Sequence, residues 1–223
     1  MRTNQARDPK GVARLCFGPR KNCPSDNVHE VARPGKPGEV AEVVHWGAGR
    51  PDVKLSIREA VDADADKIAA VRRAAAADLT ERFGKGLWSS DATEKGVLFA
   101  MKRGRVIIAV DAGAIIGTLT LSTRKPWAID PAYFTKVKTP IYLTSMAIDP
   151  EAQRKGVGRA LLADAEQRAR TWREGAGQAI RLDAFDADAG AGGFYAKCGF
   201  TERGRTVFRT APLIYFERLL VAA

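Results

Sequence analysis

Two glycines beside a group of basic residues are the clearest chemical feature of this sequence. Gly156 and Gly158 follow a strand-like apolar run over residues 141–148 and open a helix-like stretch. The first N–H groups of a helix have no acceptor within it and lie at the positive end of the helix dipole. Glycine lets backbone approach a phosphate closely. Three basic residues surround the glycines: Arg154, Lys155 and Arg159. The segment therefore predicts an anion site of the kind that holds a phosphate.

Closely spaced glycines also occur in two kinds of nucleotide-binding loop, and neither pattern is complete in this chain. A P-loop needs Lys-Ser/Thr after its last glycine, whereas Arg159 and Ala160 follow Gly158. A dinucleotide-binding turn needs a third glycine where Leu161 stands. Taken alone, the loop also leaves open a tight strand-to-helix turn that binds nothing.

A second segment about 40 residues downstream narrows the choice. Residues 192–200 read Gly-Gly-Phe-Tyr-Ala-Lys-Cys-Gly-Phe, on a short helix that enters a strand. With both segments in this order, the chain resembles the GNAT superfamily of acetyl-CoA-dependent N-acetyltransferases over about residues 54–220. The Q/R-x-x-G-x-G/A motif of the family matches Gln153, Gly156 and Gly158. Its F-Y-x-x-x-G-F element matches Phe194, Tyr195, Gly199 and Phe200.

The resemblance implies that acetyl-CoA binds as co-substrate along the loop and the strand before it. In the family, the pantetheine arm pairs with that strand like an added strand, and the same N–H groups polarise the thioester carbonyl. Asp188 stands where relatives often carry an asparagine that contacts CoA, which is a departure from the pattern. The implied cofactor-binding residues are Met146, Ala147, Ile148, Gln153, Arg154, Lys155, Gly156, Val157, Gly158, Arg159 and Asp188.

Catalytic roles also come from the resemblance. Tyr195 matches the tyrosine that protonates the departing CoA thiolate, and a phenol is a reasonable acid toward a thiolate. Asp183 occupies a position where some relatives place an acidic base. Tyr142 and Thr144 stand where others carry a carboxylate or histidines, so water relayed to solvent is an equal alternative to Asp183.

Histidine and cysteine usage excludes several other chemistries. The two histidines, His29 and His45, precede the patterned region, so a Ser-His or Cys-His nucleophile is not expected there. The three cysteines lack the paired spacing of zinc ligands, and we predict no metal. Cys198 is interpreted as a packing thiol.

The elements that must position these residues follow from hydropathy. From residue 54 onward the order is β-α-α-β-β-β-α-β-α-β-β, which predicts an α/β (α+β) fold with a mixed sheet of about seven strands and about four helices. Asp91 and Glu94 have the spacing of a capping box for the second helix. A loop of about 18 residues precedes residue 141, and loops of that length are often lids or binding walls.

Residues 1–53 differ from the rest in composition. Pro, Gly and Arg recur in this segment, and apolar periodicity is missing. We expect a disordered basic extension before a GNAT-like domain over residues 54–223. The net charge of +10 suits the anionic CoA. A nucleic-acid arm is the less favoured alternative for the extension. Neither an apolar leader nor a membrane-spanning run is present, so a soluble cytoplasmic protein is expected.

The sequence thus favours an N-acetyltransferase that moves an acetyl group to a primary amine of a small molecule. A protein amine as acceptor and a non-catalytic CoA-binding or regulatory module remain alternatives, and a homodimer stays open. Four aromatic residues are candidates for the acceptor wall, or equally for hydrophobic plugs: Trp88, Trp127, Tyr133 and Phe134.

Overall fold

The computed structural model describes residues 55–89, 91–172 and 175–220, so the predicted extension over residues 1–53 lies outside the described part. The strands are β1 (Ser56–Glu59), β2 (Arg105–Asp111), β3 (Ala114–Ser122), β4 (Pro140–Ile148), β5 (Ala179–Phe185), β6 (Thr201–Phe208) and β7 (Ala211–Leu219). The helices are α1 (Ala65–Phe83), α2 (Glu94–Met101), α3 (Val157–Arg170) and α4 (Gly192–Lys197).

The seven strands form one mixed sheet in the order β1-β2-β3-β4-β5-β7-β6. Every neighbouring pair is antiparallel except β4 and β5, which run parallel because α3 crosses between them. Parallel neighbours need such a crossover, whereas the antiparallel pairs can be joined by short turns. The predicted mixed sheet with four helices is confirmed.

Two helices cover each face of the sheet. On one face, Leu161 of α3 and Tyr195 of α4 are buried with Leu119 and Leu182 of the strands. We call this the α3 face. On the other, α1 and α2 pack on β2 through a cluster that contains Ala65, Ile68, Ala69, Val97, Val106 and Ile108. We call this the α1 face. Alternation along a strand decides which face a residue reaches.

Glycine at position 117 lets α3 lie close to the sheet. A Cβ atom there would lie 2.9 Å from Ile148 Cδ1 and 3.0 Å from Leu161 Cδ1. Real Cβ atoms are essentially never closer than that, so a side chain at Gly117 would force the side chains of Ile148 and Leu161 to shift. The start of α3 is thereby held over the end of β4.

The cap of α2 differs from the sequence expectation. Thr93 is the N-cap residue, and its hydroxyl accepts the N–H of Gly96 at 3.1 Å. The helix begins at Glu94, so Asp91 lies two residues before the N-cap position and does not form the expected capping box. Threonine is also one of the preferred N-cap residues, so the spacing of Asp91 and Glu94 alone pointed to the wrong residue.

Candidate active site

β4 and β5 pair only at their starts. The register joins Pro140 to Ala179, Ile141 to Ile180, and Tyr142 to Arg181. Beyond these pairs β4 continues to residue 148 and β5 to residue 185 without pairing with each other. Alternate residues of a strand direct their N–H and C=O groups to the same side. The second half of β4 therefore presents unpaired backbone groups to the space between the strands, which we call the β4–β5 gap.

A β-bulge lies in β4 beside this gap. The β3–β4 register shifts between Thr118 and Thr120. Two residues of β4, Ser145 and Met146, consequently lie opposite one residue of β3. Ser145 has a φ of +52°, in the left-handed region that serine seldom adopts. A bulge bends its strand and redirects the side chains that follow it.

The loop after β4 presents free amides at the start of α3. Gly156 is the N-cap with φ +88°, and the first hydrogen bond of the helix runs from the N–H of Ala160 to the carbonyl of Gly156 at 3.0 Å. The N–H groups of residues 157–159 therefore have no acceptor within the helix. Gln153 ties the loop to β4, since its Nε2 donates to the carbonyl of Ile148 at 3.3 Å. Free backbone amides thus lie where the sequence predicts an anion site, and that site stays a prediction.

The side chains around these amides leave the site open. Val157 is buried in the core, so only its backbone can reach a ligand. An added Cβ at Gly156 would meet no atom within 4 Å, whereas one at Gly158 would lie 3.1 Å from Phe194 and 3.3 Å from Met146. Three exposed basic side chains make no salt bridge within the described residues: Arg154, Lys155 and Arg159.

Tyr195 joins α4 to β4 at the gap. Its ring is buried and contacts Phe194, Phe200 and Phe216 at centroid distances of 5.3, 5.8 and 5.9 Å. Its hydroxyl lies 3.6 Å from the sulfur of Met146 on β4. Burial, and secondarily the carboxylate of Asp183, raise the pKa of Tyr195 above the ordinary value. The phenol therefore stays protonated well above neutral pH.

Asp183 lies on the opposite face of β5 from the core of α3. Its neighbours Leu182 and Ala184 belong to that core, so Asp183 points to the α1 face. Burial raises the pKa of Asp183, and its charge in turn raises the pKa of both Tyr195 and Tyr215. The carboxylate of Asp183 is therefore close enough to the phenol of Tyr195 to interact with it electrostatically.

Asp188 is the implied CoA-binding residue that follows β5. It is exposed in the turn between β5 and α4. Three other implied cofactor residues, Met146, Ala147 and Ile148, are half-buried on the part of β4 that does not pair with β5.

Two segments border the gap on the α1 face. The α1–α2 connection brings the ring of Trp88 edge-on to Phe185 of β5, with centroids 5.8 Å apart. The long loop before β4 is fixed to the sheet: the N–H of Asp130 donates to the hydroxyl of Tyr215 at 3.2 Å, and that of Thr135 donates to Glu217 at 3.2 Å.

The aromatic residues of the long loop differ in burial, and their role as an acceptor wall stays a prediction. Phe134 is a buried plug, packed with Ile129 and Tyr142. Tyr133 is only partly covered and lies edge-on to Tyr215, with ring centroids 5.1 Å apart. Trp127 is 80% exposed.

Sequence reasoning missed Arg72 of α1. Its Nη2 donates to Thr120 Oγ1 of β3 at 3.2 Å, on the α1 face of the sheet. The available signal was its spacing, because Arg72 follows Ile68 by four residues and so shares the buried stripe of the helix. A charged residue in such a stripe needs a partner or a function.

The described residues contain no group of three or more His, Cys, Asp or Glu side chains that could hold a metal ion. Among the helices of that same part of the chain, none is long and apolar enough to cross a membrane. The cytoplasmic location stays a prediction.

Comparisons with known structures agree with this geometry. YncA, a putative acetyltransferase from Salmonella typhimurium solved with its cofactor acetyl-CoA, is 17% identical with a TM-score of 0.56, over 76% of this chain and 95% of its own. The ribosomal-protein-S18-alanine N-acetyltransferase from Escherichia coli is also 17% identical, with a TM-score of 0.56 over 76% and 96%. An aminoglycoside 6'-acetyltransferase type Ii is 18% identical, with a TM-score of 0.56 over 75% and 98%. At these identities the likeness shows a shared fold.

A comparison with curated proteins found no match. The family model described as Acetyltransferase (GNAT) family matches residues 68–200, which is more than half of the chain. The resemblance seen in the sequence is thereby confirmed, and the interpretation as a non-catalytic module gives way to that of an enzyme. The protein belongs to the GNAT family of acetyltransferases, with acetyl-CoA as its co-substrate.

Proposed function

We propose that this enzyme moves the acetyl group of acetyl-CoA directly to a primary amine of a small molecule. The observation that carries the proposal is the combination of an unpaired β4 edge, free amides at the start of α3, and a buried tyrosine hydroxyl beside β4. Each of the three features suits a different part of acetyl-CoA.

The start of α3 suits the diphosphate. Free amides, the helix dipole and three basic side chains all favour anions there. Gly156 leaves open space, and the absence of Cβ at Gly158 keeps the backbone accessible between Phe194 and Met146. The β4 edge suits the amides of pantetheine, and its N–H groups can also polarise a thioester carbonyl. The residues present therefore fit the co-substrate.

Bound acetyl-CoA supplies an activated acyl carbon. The acceptor nitrogen forms a C–N bond to that carbon as the C–S bond breaks, and the sulfur then needs a proton. Tyr195 is the candidate donor, because its hydroxyl lies beside β4, where it donates to the sulfur of Met146, and burial keeps it protonated at neutral pH. The raised pKa also makes this phenol a weaker acid than a free tyrosine. It recovers the proton from water.

The acceptor amine must lose a proton as well. Asp183 is the candidate base, since it lies near Tyr195 but on the α1 face, from which an acceptor can enter the gap. Its raised pKa brings a carboxylate closer to the range useful for a base at neutral pH. Water is the alternative acceptor of this proton.

The shape of the α1 face favours a small acceptor. The long loop is fixed to β7 by two hydrogen bonds and to β5 by the bond from Arg181 to the carbonyl of Thr135, and the α1–α2 connection reaches β5 at Phe185. These two segments narrow the approach to the gap. A flat, open groove would suit a protein chain better.

The test is release of free thiol from acetyl-CoA in the presence of an amine panel that includes small amines and short peptides. Acetyl-CoA binding is measured separately by calorimetry. We expect binding, and thiol release with small amines at rates above those with peptides. Binding without thiol release for any amine contradicts catalysis, and faster reaction with peptides contradicts the small acceptor.

A further inference from the structure

Arg72 is a cation in a mostly covered position. It lies on α1 one residue after buried Val71 and four after buried Ile68, so the helix directs it toward the sheet. Its neighbour Arg73 points outward and donates to the carbonyl of Ala92 at 2.8 Å. The two arginines differ in environment although they are adjacent in sequence.

The guanidinium of Arg72 is only partly satisfied within the described residues. Nη2 donates to Thr120 at 3.2 Å, and Nε is buried without a partner. Thr118, two residues earlier on the same face of β3, has a buried hydroxyl that also lacks a partner. Burial lowers the pKa of Arg72 to about 10, and no carboxylate opposes that shift. The side chain is still charged at neutral pH.

A covered guanidinium without an acid is costly for the folded protein. Charges taken out of water are normally paired or coordinated, because the lost hydration must be replaced. The buried cation Arg181 has such a partner, since it bonds to Glu217 at 3.0 Å. Arg72 has a neutral threonine instead. Nε is enclosed, but the residue is only partly buried, so an anionic ligand group at the accessible part of the guanidinium would supply the missing counter-charge.

The location of Arg72 connects it to the reaction site. Thr120 pairs with Thr144, which directly precedes the bulge in β4. Neighbouring strands are about 4.8 Å apart, so the guanidinium lies about one to two strand spacings from the β4–β5 gap. It is also on the α1 face, as is Asp183, whereas the start of α3 lies on the other face. The phosphates of CoA are therefore not its partner.

We propose that Arg72 binds an anionic group of the acceptor, a carboxylate or a phosphonate carried a few bonds from the amine. The acceptor class is then amino acids and related small amino acids. This inference rests on the proposed acetyl transfer and names the substrate class of that same site.

Matched amine pairs test the assignment. The standard L-amino acids are compared with their amides, and 2-aminoethylphosphonate is compared with ethanolamine, with kcat/KM measured for the wild-type protein and for Arg72→Gln. Glutamine keeps a donor toward Thr120 but carries no charge. We expect at least one anionic amine to be preferred over its neutral partner. We expect the substitution to lower its kcat/KM about 10- to 100-fold, the range of a lost charged hydrogen bond, with little effect on the neutral partner.

Arg73→Gln is the matched control, because it removes the same charge from the next position of the helix. Arg73→Gln should leave kcat/KM unchanged for both amines of each pair. The ratio of carboxylate to phosphonate activity identifies which anion the site takes. The assignment is overturned if Arg72→Gln lowers kcat/KM equally for anionic and neutral amines. It is also overturned if the wild-type protein prefers the neutral member of every pair.

Binding measurements separate this inference from the function on which it rests. Calorimetry with acetyl-CoA alone tests the transferase proposal, and failure there removes both. If acetyl-CoA binds, the amines are titrated into the protein saturated with CoA. No heat with any anionic amine overturns the role of Arg72 and leaves acetyl-CoA binding intact. Loss of that heat in Arg72→Gln alone supports it.

Discussion

Replacement of Gly156 by alanine isolates the contribution of the loop backbone to CoA binding. Gly156 has φ +88° at the start of α3, and its Cβ position is empty to 4 Å. Alanine therefore meets no neighbour, and the whole effect comes from backbone conformation. The left-handed region costs a residue with a Cβ about 1–2 kcal/mol relative to glycine.

The size of the expected change in acetyl-CoA Kd depends on whether the free or the ligand-bound protein bears this conformational cost. The loop is exposed, so without ligand it can relax to a negative φ at position 156 and lose little stability. Relaxation turns the amides of residues 157–159 away from their common direction. Binding must restore the original conformation, and 1–2 kcal/mol corresponds to an acetyl-CoA Kd that rises about 5- to 30-fold. The melting temperature should change little.

Gly113 provides the matched control. It has φ +84°, also meets no atom within 4 Å, and lies in the tight turn between β2 and β3. That turn cannot relax without disturbing the hairpin, so Gly113→Ala should lower the melting temperature and leave the acetyl-CoA Kd unchanged. Both Kd values come from calorimetry and both melting temperatures from thermal unfolding. An unchanged Kd in Gly156→Ala, or the same change in both variants, refutes the reasoning.

The remaining predictions concern the catalytic pair and the support of the long loop. Tyr195→Phe should lower kcat about 10- to 1,000-fold with little change in acetyl-CoA Kd; unchanged kcat removes the hydroxyl from the mechanism. Asp183→Asn should abolish the acidic limb of the kcat/KM profile, because activity needs the carboxylate and burial raises its pKa. Because this pKa is raised in the folded protein, the free energy of unfolding of the wild type falls as pH rises through it, and Asp183→Asn should therefore melt higher than the wild type at pH 7. A pH profile and a melting temperature identical to those of the wild type contradict the role as a base and the cost of burial, respectively. Glu217→Gln should lower the free energy of unfolding by about 3–5 kcal/mol, since Arg181 and Arg203 lose their shared acid at 3.0 and 2.9 Å; a loss below 1 kcal/mol in chemical denaturation contradicts this.

Local patterns were sufficient to predict most of the fold. Alternation and helical periodicity located the seven strands and four helices seen in the described residues, because each element buries one regular face. The geometry of the proposed anion site is also local, because its glycines and basic residues are contiguous with the start of α3. The catalytic and cofactor roles came from the resemblance to a family, and they stay predictions.

Features that depend on distant neighbours could not be read from the chain. The bulge at Ser145 exists because of the register between β3 and β4, and nothing in the residue type predicts a φ of +52°. The separation of β4 from β5 after three pairs is likewise a property of two segments about 40 residues apart. Arg72 lay within a recognised helix, but its missing acid partner becomes visible only when the surrounding elements are placed.

Amide hydrogen exchange with and without saturating acetyl-CoA tests the central claim most directly, since it reports on the backbone groups themselves. The account predicts slower exchange at residues 157–159 and within residues 146–148, where the amides gain acceptors from the ligand. Amides of the β2–β3 turn, which lie outside the site, should be unaffected. Unchanged exchange at both segments under saturating ligand would contradict the account.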